Sequence, residues 1–234
     1  MKILALDTAT EICSVALLLQ DPGATARLLT RELPPGTGHS AHILGLVQEV
    51  LTEGGVRLGD LSCIAFGRGP GGFTGVRLAA SVTQGLAYGA GLTVVPVSDL
   101  LAVAQQGLDA APAAASILVC NDARMQEVYW GCATRGPGGL AIPWGEERVT
   151  APTGVQLPPG LPGPAQGAGR GFAVWPAMTL ALGAQLAQVQ PDLLPRAREI
   201  ARLAVPAWRA GEAARPQDAQ PVYLRNDVAK PSRK

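Results

Sequence analysis

Apolar residues along this chain fall into two rhythms, short unbroken runs of strand length and longer stretches with one apolar side. Lys2 to Leu6 is such a run, closed by Asp7-Thr8-Ala9-Thr10. Ile12 to Leu19 is a second, and Thr25 to Leu33, past the turn signal Asp21-Pro22-Gly23, is a third and more polar one. Three successive strands are predicted before the break at Pro34-Pro35-Gly36. From Ser40 to Glu53 the rhythm becomes helical, with Ile43, Leu44, Leu46, Val47, Val50 and Leu51 covering an arc of roughly 160° at about 100° per residue. That arc exceeds the stripe of about 100° that a helix lying on a core needs. Leu61 to Phe66 predicts a short strand, Gly67 to Phe73 a glycine-rich loop, and Thr74 to about Tyr88 a second helix. Gly75, Ala79, Ala80, Ser81 and Gly85 sit there among Val76, Leu78, Val82 and Leu86, so two of its faces are expected to be covered. Leu92 to Val97 reads as a strand, and Ser98 caps a helix to about Gln106.

The pattern then restarts. Ile117-Leu118-Val119-Cys120-Asn121-Asp122 echoes Ile3-Leu4-Ala5-Leu6-Asp7, again with an aspartate at a turn and a β-rich run behind it, Glu127 to Cys132. This weak internal repeat predicts an α/β chain of two lobes, 1–108 and 109–234. Gly136 to Gly139 closes a hairpin, and residues 136–171 are so dense in glycine and proline that a loop-built segment is expected. Pro195 starts an amphipathic helix with Ala197, Ile200, Ala201, Ala204 and Trp208 inward, and Pro206 is expected to kink or end it.

Composition narrows the function classes. With 47% hydrophobic and 16% charged residues over 234 positions the chain has the makings of a folded core, and no apolar run reaches the roughly 18 residues of a membrane helix. A net charge of +1 argues against a stand-alone nucleic-acid clamp. Cys13, Cys63, Cys120 and Cys132 show no C-x-x-C and no histidine at metal-ligand spacing, and Met1-Lys2 runs straight into a strand with no export signal. A cytoplasmic protein with reduced thiols is the expectation.

Candidate chemistry is sparse. Asp7, Thr8 and Thr10 at the end of the first strand have the residue types of a phosphate-and-magnesium turn, and equally those of a hairpin that merely caps itself. The loop with Gly69 and Gly71 offers N–H groups and a helix start to an anion, but lacks the lysine of a P-loop; its alternative is a tight turn for close packing, against a partner chain included. His39 and His42, one turn apart, have no third ligand in pattern and read as helix-start and solvent-facing residues. Asp122-Ala123-Arg124 followed by Glu127 reads as a turn with an ion pair, and nothing shows the signature of a nucleophile.

These segments resemble the TsaB family, also called YeaZ, the accessory subunit of the bacterial machinery that makes threonylcarbamoyladenosine in tRNA. The resemblance rests on Ile3 to Thr10, His39-Ser40, Gly69-Pro70-Gly71-Gly72-Phe73-Thr74-Gly75-Val76-Arg77, Asp122-Ala123-Arg124 with Glu127-Val128-Tyr129, and Pro221-Val222-Tyr223-Leu224-Arg225. Gln126 stands where the family usually has glycine, and Gly72 where it usually has serine. The resemblance implies the duplicated fold of actin, sugar kinases and Hsp70-type ATPases. It also implies a non-catalytic paralogue of TsaD that pairs with TsaD, with a TsaE-type ATPase and with itself when alone, and that meets tRNA only through that complex. No metal or cofactor is expected on the chain itself, ATP or ADP being expected only at the subunit junction. Combined with the wide apolar arcs, it places the partner contact on Ile43, Leu44, Val47, Val50, Leu51, Phe73, Val76, Ala80 and Thr83. The competing expectation is an ATP-binding phosphotransferase using Asp7, Thr8 and Thr10, with Gly167-Ala168-Gly169 as its adenine element. A peptidase founders on missing metal ligands.

Overall fold

The computed structural model describes residues 1–225. Its first half folds as β1 (Lys2–Asp7), β2 (Cys13–Leu19), β3 (Arg27–Leu33), α1 (His39–Gly54), β4 (Cys63–Gly67), α2 (Phe73–Ala90), β5 (Val94–Val97) and α3 (Asp99–Ala110). The second half repeats the strand order but has no α-helix between its third and fourth strands: β6 (Ser116–Asp122), β7 (Val128–Arg135), β8 (Ala141–Thr150), β9 (Ala165–Ala168), two short helices α4 (Gly171–Val174) and α5 (Ala177–Leu182), β10 (Leu186–Gln190) and α6 (Ala197–Arg209). Each half makes one five-stranded sheet, ordered β3-β2-β1-β4-β5 and β10-β9-β6-β7-β8. In both, an antiparallel meander is followed by two parallel strands, so the repeat seen faintly in sequence is a repeat of topology.

Strand alternation decides which face each helix covers. Leu4, Leu6, Val15, Leu17, Ile64 and Phe66 point to the side occupied by α1 and α2, while Ile3, Ala5, Ala16, Leu18, Cys63 and Ala65 point to the other. That other side is covered by α6, the last helix of the second half, whereas α3 packs on the second sheet through Leu100, Val103, Ala104 and Leu108. The halves thus exchange their third helices, and a cut at residue 108 falls inside α3, in a helix that serves the other sheet.

Three expectations need correction. Residues 136–171 are not loop throughout: β8 is ten residues long and β9 follows. β8 tolerates Pro143 and the left-handed Gly145 because it is an edge strand paired only with β7, where a missing N–H costs nothing to a second neighbour. Pro206 does not end α6, which continues for three residues to Arg209. Finally, the 160° arc of α1 is mostly covered at home: Ile43, Leu46, Val47, Val50 and Leu51 are buried in the first core, and Leu44 alone of the six is exposed, at 57%. No helix among the described residues is long and apolar enough to cross a membrane.

Candidate functional site

The turn after β1 has the residue types of a phosphate turn and equally of a hairpin that caps itself, and it is covered by the chain's own packing. Asp7 is fully buried and Thr8 is 1% exposed. The Thr8 hydroxyl donates to the Gly75 carbonyl at 2.7 Å, and the Gly72 N–H donates to the Ala9 carbonyl at 2.7 Å. The start of α2 therefore lies directly on the turn, which is why the loop needs its glycines: a Cβ at Gly75 would overlap the Thr8 carbonyl, and one at Gly71 would fall 2.7 Å from Ala9. The N–H groups of Gly69 and Gly72 are both spent inside the chain, Gly69 on Asp99 and Gly72 on Ala9. Thr10 is half-buried and accepts from Ile12 N at 3.4 Å. Asp7 and Thr8 are thus buried in a packed corner, with Thr10 at its edge. Gly167-Ala168-Gly169 is no open adenine loop either, because Gly167 and Ala168 lie in β9 and Gly169 is pressed on the Cys120 carbonyl.

Asp7 has a partner that the sequence did not reveal. Asp99, first residue of α3, is also fully buried, and the two carboxyls meet over Gly67, where a Cβ would fall 2.7 Å from Asp7 Oδ1 and closer still to Asp99 Oδ1. Each takes one backbone N–H, Asp7 from Ala9 at 2.9 Å and Asp99 from Gly69. Asp7 Oδ2 and Asp99 Oδ1 find no hydrogen-bond partner among the described residues, so two buried carboxyls stand close together with oxygens unsatisfied. Burial pushes Asp7 up to about 7, and burial together with the Asp7 charge holds Asp99 well above the usual carboxylate range, so that Asp99 donates to Asp7. Arg68, next to the pair, is engaged with Glu147 at 3.1 Å, and Ser98 both bonds Glu147 and caps α3 through Leu101 N at 3.1 Å. The only sequence signal for Asp99 was its place behind a capping serine, which acids share at many helix starts.

The helix residues assigned to a partner divide sharply. Ile43, Val47, Val50, Leu51, Val76, Ala80 and Thr83 are each no more than 7% exposed, so they are core and cannot meet another chain. Two of the nine remain on the surface, Leu44 at 57% and Phe73 at 54%, and the structure adds Tyr88 at 77%. Around them the exposed positions of both helices are small or polar: Ala41, Gly45 and Gln48 on α1, and Thr74, Ser81, Gly85 and Gly89 on α2. α1 and α2, which follow β3 and β4, both cover one face of the first sheet, α1 over β2 and β3 and α2 over β1, β4 and β5.

Phe73 stacks under Arg77, whose guanidinium lies 3.4 Å from the ring centroid and whose Nε donates to the Tyr223 hydroxyl at 2.7 Å. His39 Nε2 lies 3.3 Å from the Glu11 carbonyl and His42 is exposed; among the described residues no three metal-ligating side chains gather. Arg124 pairs with Asp122 at 3.1 Å as the turn reading expected, but Glu127 is taken by Arg225. Arg124, Met125 and Gln126 are all left-handed, at φ 59°, 51° and 63°. Each costs a side-chain-bearing residue roughly 1–2 kcal/mol, a penalty that glycine would not carry. The four cysteines are free and buried.

With this geometry in hand, the similarities are informative. Residues 36–141 match the family model of TsaD, described as tRNA N6-adenosine threonylcarbamoyltransferase. The chain is 40% identical to the tRNA threonylcarbamoyladenosine biosynthesis protein TsaB of Escherichia coli over 230 residues, covering 98% of this chain and 96% of that protein. It is 44% identical to the TsaB of Haemophilus influenzae over 135 residues, 58% of this chain and 55% of that one. The solved structure of YeaZ from Pseudomonas aeruginosa superposes with a TM-score of 0.83 at 38% identity, covering 95% of this chain and 99% of that one.

Proposed function

The chain belongs to the TsaB family of tRNA threonylcarbamoyladenosine biosynthesis proteins, and from that premise we propose that it serves the pathway as a non-catalytic subunit, bound through the outer faces of α1 and α2 to a TsaD-type subunit. The observation that carries this reading is the closed corner at Asp7 and Thr8. A chain that handled nucleotide by itself would need that turn open, with hydroxyls and N–H groups free to face phosphates, whereas here the Thr8 hydroxyl donates to the Gly75 carbonyl and the Gly72 and Gly69 N–H groups donate to Ala9 and Asp99.

What supports the contact surface is its make-up. The two helices expose small residues that permit close backbone approach, with Leu44, Phe73 and Tyr88 as large anchors; buried aromatic and aliphatic anchors carry most of the energy of protein interfaces. The match of residues 36–141 to the TsaD model supports a partner of like fold. A face that pairs with its own copy about a two-fold axis can receive a paralogue in the same way, so one surface would serve a homodimer and the heterodimer in turn. In that complex the threonylcarbamoyl group would pass to adenosine 37 of tRNAs that read codons beginning with adenine, with a TsaE-type ATPase joining the pair. Nucleotide would sit only at the subunit junction and tRNA would be met through the complex, in the cytoplasm. Buried free thiols accord with a reducing compartment.

Titration calorimetry of the chain alone with magnesium and ATP tests the first half of this reading. No heat of binding is expected up to millimolar nucleotide. Binding at micromolar ATP would instead favour the phosphotransferase.

A further inference from the structure

The C-terminal strap from Pro221 to Arg225 crosses from one half of the molecule to the other. At its first end the Val222 N–H donates to the Arg68 carbonyl at 2.7 Å, and the Tyr223 hydroxyl accepts from Arg77 beside the Phe73 ring. At its far end Arg225, with a side chain only 16% exposed, reaches the turn between β6 and β7. Its Nε bonds Glu127 Oε2 at 2.9 Å, its Nη2 bonds the same oxygen and the Ala123 carbonyl at 3.1 Å, and its Nη1 lies 3.3 Å from Met125 Sδ. These contacts enclose the three consecutive left-handed residues Arg124, Met125 and Gln126. Strain of this kind persists only where the surroundings over-determine it. Within the turn, Ala123 N donates to the Glu127 carbonyl and Glu127 N to the Arg124 carbonyl, both at 3.0 Å, and Arg124 N donates to Asp122 Oδ1 at 3.0 Å. Those bonds fix the ends of the turn, while among the described residues the guanidinium spans it from outside.

We propose that Pro221–Arg225 is an interlobe latch, in which Arg225 holds the β6–β7 turn in its left-handed form and Tyr223 ties that hold to the exposed start of α2. Arg225 is a positioning residue: it sets how Arg124, Met125 and Gln126 are presented at the surface, and it makes that presentation depend on the Phe73–Arg77–Tyr223 cluster in the other half. The inference rests on the chain's own contacts and not on the partner reading above.

Amide hydrogen exchange on the full chain tests it. Arg225→Ala is expected to speed exchange at Ala123, Arg124 and Glu127 by about tenfold or more while leaving β1 and β4 unchanged. Arg225→Lys keeps the charge but not the planar fork and is expected to fall between. Tyr223→Ala should speed the same three amides, although it touches none of them. Gln126→Gly, which permits the left-handed angle at no steric cost, should slow exchange alone and shrink the effect of Arg225→Ala. Equal exchange of the turn in Arg225→Ala and wild type, or an Arg225→Ala effect of the same size with Gly at 126, would overturn the proposal.

Discussion

Placing glutamate at both Leu44 and Tyr88 should weaken association with a TsaD-type subunit by roughly 100-fold or more, the size expected when two anchor residues of an interface are lost. Size-exclusion chromatography with light scattering would report it as free chains where wild type elutes as a complex, and the same double variant should shift the isolated chain from dimer to monomer. Both side chains already lie mostly in solvent, so thermal stability should change by no more than about 0.5 kcal/mol per site. Charges at Val47 or Leu51 would make a poor version of this experiment. These residues are 4% and 7% exposed, and a carboxylate there would break the core before it reached any interface. An unaltered complex with both glutamates in place would remove α1 and α2 from the contact.

The second large effect concerns the buried carboxyl pair. Asp7 is raised from its ordinary 3.8 to about 7, so the folded chain holds a proton that the unfolded chain has released. The stabilisation from that proton is complete below pH 3.8 and is lost as pH rises through about 7. Each proton retained by the fold gives a decline of about 1.4 kcal/mol per pH unit across that window. Asp99 is shifted in the same direction and adds to the slope. Unfolding free energies in urea from pH 5 to 7 should therefore fall steeply. In Asp99→Asn, where an amide donates permanently to Asp7 and one titrating group is gone, the slope should be shallower by about one proton's share, 1.4 kcal/mol per pH unit. An equal slope in both proteins would mean that the two carboxyls do not share a proton.

Much of the first half was legible because its signals are local. Runs of strand length, the helical spacing from Ser40 to Glu53 and the Ser98 cap each fix an element with its immediate neighbours, and α1, α2 and α3 end within a few residues of expectation. The second half was harder to read. From Gly171 to Pro191 the chain carries no charged residue, so periodicity has little contrast to work with, and α4, α5 and β10 are each six residues or fewer. β8 hid behind its glycines and proline because an edge strand forgives them.

The candidate site was legible in position but not in state. The sequence placed Asp7, Thr8 and the glycine-rich loop side by side in chemistry, and the structure places them side by side in space. Whether they face solvent or each other depends on Gly75 and Gly71 meeting residues more than sixty positions away, which no local pattern encodes. The same holds for Asp99, which is brought to Asp7 by the parallel crossover from β4 to β5. The apolar arc of α1 misled for a related reason: its width counts residues, whereas burial depends on how β2, β3 and α2 close around it.

The hydrogen-exchange footprint of a TsaD-type subunit on this chain tests most directly the claim that it works by being bound through one helical face. Slowed exchange along α1 and α2, strongest around Leu44, Phe73 and Tyr88, is the predicted result. Protection confined to the second half, with α1 and α2 exchanging as in the free chain, would contradict it.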